Sequence, residues 1–182
     1  NQEVVHGIPD KHRIIQEGDI VSLDAGVIYK GYHSDAARTH AVGEVSEEAK
    51  KLIQVTKESF FEGIKFAKAG NHLFDISGAI GRYAEERGYG VVRDLCGHGI
   101  GTALHEAPEI PNYEVGRKGV RLRPGMTLAI EPMINIGTHE VDWLDDDWTV
   151  VTRDGSLSAH YENTILITEG EPRILSLTCE NE

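Results

Sequence analysis

Two glutamates stand where the sequence is otherwise apolar and strand-forming, and they constrain this chain more than any other feature. Glu131 lies in Leu128-Ala129-Ile130-Glu131-Pro132-Met133-Ile134, and Glu162 in Tyr161-Glu162-Asn163-Thr164-Ile165-Leu166-Ile167. Runs of this kind form strands with at least one buried face. A carboxylate carried into such a strand loses its water and must be paired or neutralised. Pro132 has no N–H for a ladder, so it belongs at a strand edge or bulge. Glu131 as a plain edge residue is one reading; two glutamates in the same setting favour a shared partner.

A second pair of carboxylates lies upstream. Residues 19–29 (DIVSLDAGVIY) and 32–41 are β-rich, and Lys30-Gly31 between them reads as a two-residue hairpin loop. That loop pairs Tyr29 with Tyr32, so Asp24 faces Ala37 and Asp35 faces Gly26. Asp24 and Asp35 then share one face as diagonal neighbours, roughly 7–8 Å apart at the backbone. Side by side they repel unless a cation or a proton lies between them. A solvated outer face with two uninvolved aspartates is the alternative.

Between these pairs runs Leu95-Cys96-Gly97-His98-Gly99-Ile100-Gly101, with His105 seven residues beyond His98. Alternate glycines let the backbone pack closely around one imidazole. The run lacks the Lys and the Ser or Thr of a phosphate loop. A single structural histidine remains open as a reading, though His105 weakens it. Together, Asp24, Asp35, Glu131 and Glu162 bring four negative charges that two divalent cations would neutralise. Oxygen donors with one imidazole, His98, suit Mn, Fe, Co or Zn. Two such ions about 3.5–4 Å apart make a hydrolytic device.

The rest of the chain sets the frame. Its 182 residues fit one domain, 1–182. Ser46 is a helix N-cap with Glu47 and Glu48 in the first turn, and the apolar spacing predicts a helix over 46–69. A second helix is predicted over 74–87, stopping at Gly88. Candidate strands follow at 90–96, 126–136, 148–153 and 158–168. Two helices beside hairpin-like strands predict an α+β fold with a mostly antiparallel sheet. A net charge of −12 argues against nucleic acid, which needs a basic face. No stretch approaches the roughly 18 apolar residues of a membrane span, and the N-terminus does not read as a secretory signal. Cys96 and Cys179 form neither a disulfide framework nor a paired Cys metal motif, which suits a reducing cytoplasm.

The chain resembles the type I methionine aminopeptidases over essentially its whole length. The matching segments are His6-Gly7-Ile8-Pro9, Ser22-Leu23-Asp24, Gly31-Tyr32-His33-Ser34-Asp35, Gly97-His98-Gly99-Ile100-Gly101, Ile130-Glu131-Pro132-Met133 and Tyr161-Glu162-Asn163-Thr164. The resemblance implies the "pita-bread" α+β fold, with helices on one face of its sheet and a dinuclear metal site between its halves. It implies removal of the initiator methionine from nascent polypeptides, at the ribosome and in the cytoplasm, by a metal-bridged hydroxide. By its pattern Asp24 chelates one metal, Asp35 and Glu162 bridge both, and His98 and Glu131 complete the other. Glu131 also serves as the base. His6 and His105 contact the substrate, with His105 placed to stabilise the oxyanion, and Trp148 lines the methionine pocket. Leu104 and Leu95 depart from the pattern, which usually has an aromatic at the first position and an aromatic or Met at the second. The family's catalytic domain begins upstream of His6, so the chain reads as N-terminally truncated: a monomer by family, prone to self-association through uncovered edges. Prolidases and aminopeptidases P share the fold and the five ligands but have Glu-Pro-Gly where this chain has Glu131-Pro132-Met133. A metal-binding but inactive interaction module is the alternative from another class.

Overall fold

The computed structural model describes residues 1–177; Cys179 lies outside them. After a short strand β1 (Glu3–Val5), the hairpin of β2 (Ile20–Tyr29) and β3 (Tyr32–Ala41) forms in the register the two-residue loop dictates, with Tyr29 opposite Tyr32, Asp24 opposite Ala37 and Asp35 opposite Gly26. Lys30 and Gly31 both have positive φ, 51° and 83°, as a tight hairpin turn with strand-matching twist requires.

Helix α1 (Glu47–Ile64) starts where expected, the Ser46 hydroxyl accepting from the Ala49 N–H. It ends five residues earlier than 69. The reason is tertiary: Ala69 N–H donates to the Thr168 carbonyl at 3.2 Å, Gly70 N–H to Leu122, and Ala67 is fully buried. These bonds hold residues 65–70 against neighbouring loops in place of a further helical turn. Helix α2 (Leu73–Glu85) begins with the Asp75 carboxylate accepting from the His72 N–H, and the chain turns away at Gly88.

The later strands are shorter than the apolar runs that foretold them. Residues 90–96 supply only β4 (Gly90–Val91), after which the chain crosses to another ladder as β5 (Gly97–Gly99) and returns as β6 (Glu106–Ile110). The run 126–136 splits into β7 (Thr127–Ile130) and β8 (Met133–Asn135), parted by Glu131-Pro132. Then come β9 (Val141–Trp143) and β10 (Val150–Thr152). The run 158–168 splits into β11 (Ser158–His160) and β12 (Asn163–Leu166), and β13 (Arg173–Ile174) closes the described chain.

Among the described residues all strand pairings are antiparallel, in four ladders: β13-β12-β7-β5-β6, β11-β8-β4, β1-β10-β9 and β2-β3. Phe60, Leu73, Ile76 and Ile80 of the helices pack with Leu128 and Ile165 of the largest ladder. Leu52 meets Ile20, Val91 and Ile134, and Val4 meets Met133 and Val150 beneath the third ladder. Burial of these side chains, each contributing about 1.5–3 kcal/mol, holds the hairpin against the strands that carry the later acidic residues. No helix among the described residues is long and apolar enough to cross a membrane.

Candidate metal centre

Strands β7 and β12 pair Asn163 with Ile130, and β8 and β11 pair His160 with Met133 in the same running register. The two ladders are one ribbon, interrupted at Pro132, which cannot donate, although the opposite Tyr161 N–H still bonds the Pro132 carbonyl at 3.2 Å. Glu131 and Glu162 occupy that break, in register with each other.

The hairpin is fastened to the same place. The Thr164 hydroxyl accepts from the Asp35 N–H at 2.8 Å and donates to the Asp35 carbonyl at 3.0 Å. The Glu162 N–H donates to Ala37, and the Arg38 guanidinium donates to the carbonyls of Ala37 and Glu162 and to Asn163. Arg38 also stacks on Tyr161, 4.1 Å from the ring centroid. Asp35 and Glu162, distant in sequence, are thus held close by bonds from their neighbours, through the Thr164 hydroxyl and the Ala37 carbonyl.

His98 comes in on β5, opposite Ala129 of β7. A Cβ on Gly97 would lie 2.4 Å from the Ala129 carbonyl, and one on Gly99 would lie 2.2 Å from that of Ala107. Only glycine permits this approach on both sides of the imidazole. His98 Nδ1 donates to the Gly99 carbonyl at 2.8 Å. Its Nε2 points at the carboxylates, 3.6 Å from Glu131 Oε1 and 4.0 Å from Asp35 Oδ2.

Carboxylates gathered this closely repel one another unless a cation or a proton lies between them. Glu162 is 1 % exposed and its Oε1 has no hydrogen-bond partner. Burial, reinforced by Glu131, Asp35 and Asp24, pushes its carboxyl up to about 10. Burial likewise raises Asp35, with Asp24 and Glu131 adding to it and His98 opposing. Among the described residues two sets of side chains are spaced to hold a cation: Asp35, His98 and Glu162, and Glu131, His160 and Glu162, the ligand atoms of each within 4.8 Å of one another. Glu162 is common to both. The donor set fits divalent metal, and the orphaned Glu162 oxygen is what such an ion would satisfy.

Asp24, on the exposed face of β2, belongs to neither set, yet it borders the same cleft of about 800 Å³. That cleft is also lined by His6, Leu95, Cys96, His105 and Met133, among others. The His105 ring meets His98 edge-on at 4.4 Å, and His6 stacks on Trp148 at 4.5 Å. Trp148 reaches the cleft only through His6, and Leu104 packs over Gly26 beside Asp35. His160, absent from the residues singled out in the sequence, is fully buried at the cluster. The available signal was its place two residues before Glu162, which puts both on one strand face.

The fold and this acidic, imidazole-bearing cluster define a metal-dependent hydrolase: the chain belongs to metallopeptidase family M24, whose model matches residues 1–169. Within the family its relatives are methionine aminopeptidases. That of Clostridium acetobutylicum is 60 % identical over 180 residues, 99 % of this chain and 72 % of that protein. The crystal structure of the Thermotoga maritima methionine aminopeptidase superposes with a TM-score of 0.95 at 50 % identity, covering 98 % of this chain and 72 % of that one. Prolidase from Pyrococcus furiosus superposes less well, with a TM-score of 0.70 at 28 % identity, covering 90 % and 43 %. The architecture is the pita-bread α+β fold these structures share.

Proposed function

We propose that this chain removes the N-terminal methionine from polypeptides, with two divalent cations held by Asp24, Asp35, His98, Glu131 and Glu162. The observation that carries the reading is the convergence of Asp35, Glu131 and Glu162 around the Nε2 of His98 at an open cleft. The sequence relation to methionine aminopeptidases sets the substrate class. When bound, the cations supply Lewis acidity and a water of lowered pKa.

The protein's own residues do the rest. Glu162 belongs to both clusters; by the family pattern Asp35 would serve both cations as well, and Asp24 would close the solvent side of one. Glu131, at the strand break, takes the proton of the attacking water and returns it to the leaving amine. His105, edge-on to His98, donates to the oxygen on which charge develops. His6, braced by Trp148, orients the peptide at the mouth of the cleft. An oxygen-rich site with one or two imidazoles suits Mn, Fe, Co or Zn. Nascent chain N-termini, and hence the cytoplasm, are the expected setting.

The test is methionine release from Met-Ala peptides as Mn or Co is titrated into chelated protein. Cation-dependent release supports the reading. No release at any loading overturns it, and release from X-Pro peptides alone would favour the prolidase activity.

A further inference from the structure

His160 is the one buried imidazole at the cluster that the proposed reaction does not use. Its backbone is pinned on both sides: it pairs with Met133 across β11 and β8, its N–H donates to Thr39 Oγ1 at 2.8 Å, and its carbonyl accepts from the same hydroxyl at 3.0 Å. The ring is 1 % exposed and Nε2 has no hydrogen-bond partner. A buried polar nitrogen is costly to leave unpaired, and the acceptor that His160 Nε2 faces is Glu131 Oε2, 3.6 Å away.

Glu131 is flanked on both oxygens. Oε1 lies 3.6 Å from His98 Nε2 and Oε2 the same distance from His160 Nε2. Asn112 fixes its backbone by donating to the Glu131 carbonyl at 3.1 Å, but among the described residues its carboxylate has no hydrogen bond. The two imidazoles are the nitrogen donors placed beside its carboxylate oxygens.

We propose that His160 is a positioning residue for Glu131. In the metal-loaded site its Nε2–H donates to Oε2, which fixes the plane of the carboxylate and presents Oε1 to the cation beside His98. At 3.6 Å the bond is not yet made. A small turn of the carboxylate toward a cation closes it to the roughly 2.8 Å of a charge-assisted bond. Oε2 keeps a second lone pair for the proton of the attacking water. Outer partners that orient metal ligands in this way typically change affinity by about 10–100-fold when removed. The inference rests on the two-cation reading of the centre.

The experiment is Mn titration into chelated protein by calorimetry, with folding of every variant checked by circular dichroism. The expected result is that wild type takes up two ions and His160→Gln, whose amide reaches the same point, binds within about 3-fold of it. His160→Leu weakens one of the two sites by about 10-fold or more and leaves the other. If the Leu variant does not fold, His160→Asn, too short to reach Oε2, replaces it. In a Glu131→Ala background the His160 change should add nothing, because it acts through Glu131. Equal affinities for the Gln and Leu (or Asn) variants overturn the proposal: unchanged binding in both makes His160 a packing residue, and loss of an ion in both makes it a direct ligand. A wild-type protein that takes up no Mn at all overturns the reading of the centre itself.

Discussion

Replacing Glu162 by Gln should stabilise the metal-free protein at neutral pH while destroying its response to metal. The carboxyl is 1 % exposed, and burial first, then Glu131, Asp35 and Asp24, raise it to about 10 from 4.5. The folded state raises this pKa, so the contribution of Glu162 to stability is fully present below pH 4.5 and is lost as pH rises toward 10. At pH 7 the unfolded chain has released this proton and the metal-free folded chain has not. Each pKa unit is worth 1.36 kcal/mol, so folding without cations costs about 3 kcal/mol at this residue. Gln has nearly the same shape as the protonated side chain and releases no proton. Urea denaturation in EDTA at pH 5, 6, 7 and 8 should therefore show the variant gaining on wild type with each step, to about 3 kcal/mol at pH 7, with little difference at pH 5. With Mn at 100-fold above the dissociation constant the gap should nearly close, because wild type alone gains about 2.7 kcal/mol. Parallel pH profiles for the two chelated proteins would refute the argument, since Glu162 would then be ionised or solvated in the metal-free fold.

Asp35→Asn should lose most bound metal by elemental analysis, because by the family pattern Asp35 serves both cations; unchanged content would remove it from the ligand set. Chelation should lower the melting temperature and Mn should restore it, through relief of repulsion among Asp35, Glu131 and Glu162; a melting curve indifferent to both would argue against a buried dinuclear site. His105→Ala should keep its metal and lose about 10²–10³ in kcat, whereas His98→Ala should lose metal and activity together. Equal metal loss in both variants would make His105 a ligand.

The hairpin shows what local sequence determines by itself. A two-residue turn at Lys30-Gly31 leaves one register, and every pairing from Tyr29↔Tyr32 to Ile20↔Ala41 follows. The start of α1 is equally local, since the Ser46 cap and the acidic first turn act within a few residues. Its end was not, because the bonds from Ala69 to Thr168 and from Gly70 to Leu122 come from chain far away. Pro132 marks a break in the ladder from sequence alone, but the transfer of the chain to a different set of strands depends on packing. The residue types of the centre were readable because a carboxylate in an apolar strand demands a partner. Which of them meet was decided by tertiary structure: Asp24 faces solvent, and His160, beside Glu162 on the same strand face, joins the cluster. Alternation along a strand assigns side chains to two faces, but only the packing of the hairpin against the broken ribbon determines which face closes over a common charge.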